Sequence, residues 1–288
     1  MRVRNFIRRF PLVTYFAVAY GFSVIALLVI GPPDLSGRSP VPSSSFVMFP
    51  VLVIGVGLSG AALTAITAGR AGVGELGRRI ARWRLGAWAL AVLIPPVGIT
   101  LVLTALRVAL SPAFSQNLNL GFAAFGIGIG LVAGSFEEIG WTGFAYPRLS
   151  SRFGALTGAL LLGVLWGLWH FPVADSLGAA SPHGSHFPAY FASFVAAMVA
   201  MRVLIAWVYS NTGSVLAAQL MHASSTASLV ALSAPHVTAA QEAAWYAAYA
   251  LVLWAVAGAV VLRFGPSLVR TASRASTGES DAMPELAS

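Results

Sequence analysis

The chain has 288 residues, 58% of them hydrophobic and 9% charged, and its 17 basic residues outweigh nine acidic ones. A water-facing surface needs about 25% charged residues, so a soluble globular protein is excluded. Apolar runs of roughly 20 residues recur as far as residue 264 and leave no room for a sizeable soluble domain.

Cysteine is absent, which excludes disulfides, thiolate metal sites and cysteine nucleophiles. Every basic residue is arginine, so a Schiff-base lysine is excluded too. Most of these arginines sit at the ends of apolar runs, so the net charge of +8 reads as membrane topology and not as nucleic-acid binding.

Residues 1–10 carry Arg2, Arg4, Arg8 and Arg9 and lead into a first span, Pro11–Gly31. That run is too long for a signal peptide and no small-residue cleavage site follows it. Pro32–Ser45 is a Pro- and Ser-rich loop, Phe46–Ala68 a second span, and a basic stretch with Arg70, Arg78, Arg79, Arg82 and Arg84 comes next. The third span is about Ala87–Leu110, and the fourth starts near Leu118 and carries Glu137 and Glu138.

Arg148 and Arg152 flank a short turn before span five, Ala155–Phe171. A polar loop, Ala174–Pro188, separates it from span six, Ala189–Tyr209. Span seven, Ser214–Leu232, follows the turn Ser210-Asn211-Thr212-Gly213, and span eight is Ala243–Phe264. The organisation expected is a basic segment (1–10), one all-α transmembrane bundle of about eight spans (11–264), and a polar, disordered tail (265–288). Arginines crowd the N-terminus and the turns after spans two, four and eight, while the opposite loops hold only Arg38. The positive-inside rule therefore puts both termini in the cytoplasm.

Seven of the nine acidic residues, Asp175 and Glu242 among them, fall in expected loops, tails or span edges. Glu137 and Glu138 do not. Intramembrane carboxylates cost a few kcal/mol each and mark functional sites. In an apolar site one of two adjacent carboxyls has the character of a general base for water. His170 and His222 also fall inside apolar helices, whereas His183, His186 and His236 lie in loops, the first two as an H-x-x-H pair that is a weak metal signal. At helical i,i+4 spacing stand Trp166 with His170, His222 with Thr226, and Glu138 with Thr142. Gly126, Gly130 and Gly134 make a small-residue stripe suited to close helix packing.

Three stretches carry a family resemblance: Glu137-Glu138-Ile-Gly-Trp-Thr-Gly-Phe-Ala-Tyr-Pro-Arg-Leu; Leu165-Trp-Gly-Leu-Trp-His170-Phe-Pro; and Tyr209-Ser-Asn-Thr-Gly-Ser-Val-Leu with His222-Ala-Ser. Together they resemble the CPBP intramembrane proteases (CAAX prenyl endopeptidases and bacteriocin-processing relatives), with a family core over 118–232. The resemblance implies that one glutamate and one histidine activate water while the other histidine and an asparagine stabilise the oxyanion. It gives Glu137, Glu138, His170 and His222 as catalytic, with Trp166 in the place of a more usual Phe.

Two positions depart from the family: Thr142 stands where an arginine is usual, and Thr226 where an asparagine is expected, its hydroxyl being the candidate oxyanion donor in that residue's place. Arg202, inside span six, is expected to snorkel to the cytoplasmic interface; the other reading makes it a substitute for the missing arginine. Straight-helix arithmetic from Pro147 and from Phe153 sets Glu137 ~15 Å and His170 ~25 Å into the membrane, which leaves His170 too far outward unless span five tilts or begins beyond the membrane surface.

The function expected is hydrolysis of a peptide bond in a membrane-associated protein or peptide, in the plasma membrane of a bacterium. The partners expected are lipid and substrate, with no nucleic acid. No cofactor is expected; a zinc ion on Glu137, His170 and His222 is the metal alternative. An inactive relative acting as a binding or immunity protein, and a proton-coupled transporter, are the other classes considered.

Overall fold

The computed structural model describes residues 2–269, all helix and connecting turns, with no strand among them. The α-helices are α1 (Arg2–Arg9), α2 (Pro11–Ile30), α3 (Ser44–Ile80), α4 (Ile94–Ala109), α5 (Leu120–Gly140), α6 (Tyr146–Phe153), α7 (Ala155–Trp169), α8 (Phe171–Leu177), α9 (Phe187–Thr212), α10 (Val215–Ala231) and α11 (Ala239–Phe264). A 3₁₀ stretch, Gly86–Leu93, leads into α4, and a π segment, Trp141–Ala145, joins α5 to α6.

Six helical runs are long and apolar enough to cross a membrane: α2, α3, Gly86–Ala109, Leu120–Phe153, Gly184–Thr212 and α11. The pair α7–α8, bent by 71°, makes a seventh if it counts as one span. At 17 residues, or ~25 Å, α10 is short of the ~30 Å hydrocarbon core. The protein is thus a multi-pass, all-α membrane bundle.

Local sequence explains the irregularities. Helix α3 kinks at Gly69 (φ 62°, ψ −158°), which separates the second span from an arginine-bearing helical segment that ends at Ile80. Pro147 follows directly on the π segment inside one helical run, and where its missing N–H would have met Gly143 O, Arg79 donates instead (2.9 Å), so the run continues to Phe153 without turning there. Pro172 cannot donate back to the preceding turn, and α7 ends at Trp169 with His170 at the corner. Past α11 the chain stays packed for a few residues: Leu156 N–H donates to Pro266 O (3.1 Å), and Asn211 Nδ2 donates to the carbonyl of the buried Leu268 (2.7 Å). Residues 270–288, most of the expected tail, lie outside the described residues.

Helix α5 is gripped on two sides. A Cβ at Gly126, Gly130 or Gly134 would meet α10 backbone at Ala227, Ala223 and Gln219, so the glycine stripe closes the α5–α10 contact. On the other side Gly57 and Gly60 of α3 lie against Phe136 and Gly140. These contacts bring the Glu137–Glu138 end of α5 against α3 and α10 together.

Gly130→Val should therefore destabilise by about 1–3 kcal/mol or more through overpacking. Gly128→Val, where an added Cβ meets nothing within 4 Å, should leave the melting temperature in detergent close to that of the parent. Equal melting of the two variants would refute the grip.

Candidate functional site

Glu137 and Glu138 end α5 with side chains 1% and 0% exposed. Charges buried in this way need partners, and the two find different ones.

Glu138 is fully engaged. The Arg202 guanidinium donates from Nη1 to Oε2 and from Nη2 to Oε1, each at 2.8 Å, in a two-pronged ion pair. The Thr142 hydroxyl donates to Oε2, and His222 Nδ1–H donates to Oε1 at 2.7 Å. Arg202 Nη1 also reaches Thr142 Oγ1 at 3.4 Å. Arg202 is 1% exposed, which corrects the snorkelling expectation. The reason is depth: Glu138 and Arg202 each stand roughly eight residues, ~12 Å, from the point where Tyr146 Oη meets Ser210 Oγ (3.2 Å). The guanidinium therefore lies level with the carboxylate and far from the helix end.

Glu137 keeps a freer carboxylate. Trp166 Nε1–H (2.7 Å) and Trp141 Nε1–H (3.0 Å) both donate to its Oε2. The Trp166 ring is a hub, with the Arg202 guanidinium 4.3 Å from its centroid and the rings of His222 and His170 at 5.0 and 5.6 Å. His170 Nδ1–H donates to Trp166 O (2.8 Å), and its ring abuts Trp169 and Phe194 at 4.9 and 5.2 Å.

His170 thus lies with the glutamates, and the depth conflict expected from sequence disappears. The turn falls at Gly154, with about 17 residues back to Glu137 and about 16 forward to His170, which is ~25 Å on either arm. The mismatch came from treating Pro147 as the start of the turn.

Because carbonyl and carboxylate oxygens only accept, both histidines carry the proton on Nδ1. Their Nε2 atoms and Glu137 Oε1 have no hydrogen-bond partner among the described residues. Thr226 is half-buried on the turn after His222 and makes no hydrogen bond to the glutamates or histidines. Among the described residues no group of three or more His, Asp or Glu is arranged to hold a metal.

Two contributors escaped the sequence. Trp141 had a signal, standing four residues after Glu137 as Thr142 does after Glu138. Arg79, far away on α3, had none: it donates to Gly143 O (2.9 Å) and Tyr209 Oη (2.7 Å), holding the π segment behind the acidic pair.

Removing one partner of a buried ion pair costs about 3–5 kcal/mol, because the other is left charged and unpaired. Arg202→Met should show a loss of that order in detergent unfolding, and Arg202→Met/Glu138→Gln should recover much of it. A double variant as unstable as the single one would contradict the pairing.

Comparison with known proteins bears on the same segment. Residues 119–228 match the family described as Type II CAAX prenyl endopeptidase Rce1-like. A relative from Methanococcus maripaludis, named CAAX prenyl protease 2, is 33% identical over 96 residues. That alignment covers 32% of this chain and 35% of the relative, about a third of its length. The matched region contains α5 to α10 almost whole, and with them every residue of the network above except Arg79.

Proposed function

We infer that this chain, whose residues 119–228 match the Type II CAAX prenyl endopeptidase Rce1-like family, is an intramembrane endopeptidase that works with water held between Glu137 and the two histidines. The observation that carries this is the unequal treatment of the two carboxylates. Glu138 is saturated by Arg202, Thr142 and His222, while Glu137 is oriented by two indoles through one oxygen and keeps the other for a reactant.

In this reading Glu137 Oε1, with His170 Nε2, binds the water and takes its proton. The water oxygen adds to the scissile carbonyl carbon. Glu138 holds His222 through its Nδ1–H, which leaves the lone pair of Nε2 to position the same water. Collapse of the tetrahedral intermediate breaks the C–N bond, and the proton held by Glu137 passes to the leaving amine. One water is consumed, and a carboxylate and an amine are released. Trp166 holds Glu137 by its N–H, which a phenylalanine there would not do. Arg202 supplies from α9 the cation that Thr142 does not supply from within the motif. Thr226 has no assigned step.

The substrate is a membrane-associated protein or peptide. An apolar cleft of ≈ 680 Å³, lined in part by Leu168 and Phe171 on either side of His170 and by Phe191 and Val195, is suited to its apolar portion. The relative's name raises prenylated chains as candidates. The setting we propose is a bacterial plasma membrane with the arginine-rich end in the cytoplasm.

Glu137→Gln should reduce cleavage by ~10²–10⁴-fold, the usual share of a positioned base, while Glu137→Gln protein melts near the parent temperature. Comparison of membrane proteomes with and without this substitution should reveal an uncut precursor. Undiminished turnover in Glu137→Gln and Glu138→Gln alike would overturn the protease reading in favour of a non-catalytic relative. Activity is expected to survive thorough chelation. Loss on chelation and recovery with zinc would convert Glu137, His170 and His222 into a metal site instead.

A further inference from the structure

A second buried titratable cluster stands at the opposite end of the bundle from the Gly154 turn, and the chemistry above makes no use of it. His183 is 2% exposed in the loop between α8 and α9. Its Nδ1 meets Asp175 Oδ1 at 2.6 Å, and its Nε2 meets Glu242 Oε2 at 3.2 Å. Sequence placed His183, Asp175 and Glu242 in loops and span edges, yet Glu242 is 1% exposed in the first turn of α11 and Asp175 belongs to α8.

Glu242 also accepts the backbone N–H groups of Ala179 (2.8 Å) and Ala180 (2.6 Å), and Asp175 accepts that of His183 (2.9 Å). Tyr190 of α9 stacks on the imidazole at 3.8 Å and 14°, and Tyr246 of α11 packs edge-on to Tyr190 at 5.1 Å. The titratable groups facing His183 are therefore Asp175 from α8, Glu242 from α11 and Tyr190 from α9, with Tyr246 behind Tyr190.

Two routes lead from this cluster to His170. Along the chain, Asp175 lies five residues beyond it on the bent α8, after the corner at which His170 sits. Through packing, Tyr190 touches Phe194 (6.3 Å between centroids) on the same face of α9, and Phe194 touches His170 (5.2 Å). No hydrogen bond other than those of His183 and Glu242 ties the 178–183 loop to α11 among the described residues.

We propose that Asp175, His183 and Glu242 form an acid-closed clasp that pins the bent α8 to α11 and holds His170 in position. With both ring nitrogens protonated, His183 donates to both carboxylates. When neutral it can donate to one only, and its remaining lone pair then faces the other carboxylate. Burial, the largest influence, disfavours the charged ring, but the hydrogen bonds and charges of Asp175 and Glu242 outweigh it and raise the His183 pKa above its ordinary value. With that sign the clasp is fully formed below the ordinary histidine value of about 6.5; as pH rises through the raised one it loses one of its two His183 bonds and is held to α11 by the Ala179 and Ala180 N–H bonds to Glu242.

The cysteine-free chain permits a direct test that needs no substrate. Ala174, buried in α8, is replaced by cysteine, and its labelling by a membrane-impermeant maleimide is followed from pH 5.5 to 9 in proteoliposomes. Rates are normalised to the exposed Ser39→Cys, which cancels the intrinsic thiol titration. The normalised rate should climb by up to about tenfold per pH unit above ~6.5, the response of one proton, and then level off. His183→Gln should abolish the climb, and Glu242→Gln should shift it to lower pH. Should Ala174→Cys fail to fold, the half-buried Ala180→Cys serves for the same measurement. A flat normalised rate, or one unchanged by His183→Gln, overturns the clasp.

Only the link to His170 rests on the protease reading. For that link, His183→Gln should lower kcat with a changed pH profile while KM moves little. Unchanged kcat at every pH would remove the positioning role and leave the labelling result standing. Retained cleavage in Glu137→Gln would count against the protease reading and leave the clasp untouched.

Discussion

Arg202 and Glu138 face each other inside an apolar bundle, and little else at its centre could be arranged as it is without them. Two charges in such surroundings are costly unless the geometry is good and most of their hydrogen-bonding capacity is met. Here the guanidinium covers both carboxylate oxygens, and Thr142 and His222 occupy further acceptor positions, while the buried Nε of Arg202 finds no partner among the described residues. What a buried pair of this kind supplies is register more than net stability. A slip of α9 by one residue would rotate Arg202 by about 100° and strand both charges. The pair thereby fixes α5, α9 and α10 relative to one another, and it places the Arg202 guanidinium over the Trp166 ring.

The glycine contacts make that register reachable. The carboxylate–imidazole bond of 2.7 Å between α5 and α10 lies at one end of a seam where the two backbones touch. Gly126, Gly130 and Gly134 provide the approach one turn after another. The division of labour between the glutamates follows. Adjacent residues on a helix point about 100° apart, so Glu138 turns toward α9 and α10 while Glu137 meets the indoles of Trp141 and Trp166.

Much of this was legible in the sequence because it is local or compositional. The membrane class, the acidic pair, the two intramembrane histidines and the glycine stripe follow from apolar run length, insertion cost and i,i+4 spacing. The partner of Arg202 did not, since it lies 64 residues away and an arginine within reach of an interface is more often solvated than paired. Pro147 misled the depth of His170 because a proline reads as a stop, whereas here an arginine from α3 donates to the carbonyl that its missing N–H would have met. Glu242 and Asp175 sit near helix ends, where charge is usually exposed; only the fold of the 178–183 loop buries them. The hydrophobic pattern also counts apolar runs without regard to bends, which is why α7–α8 and the short α10 read as plain spans.

The π segment at Trp141–Ala145 sets how the acidic pair is geared to α6. Wide turns of this type accommodate a surplus residue inside a helix, and they are frequent beside functional groups. The motif that begins at Glu137 is therefore read across a place where the helix has gained length without breaking, with Arg79 and Arg148 accepted by the carbonyls of Gly143 and Phe144. Loss of a single residue here would tighten the turn and swing Arg148 and all of α6 by about 100° relative to the glutamates. The cation that serves Glu138 stands apart from that hazard: Arg202 comes from α9, so a change in the width of the turn would re-aim Arg148 and leave the guanidinium on Glu138 where it is.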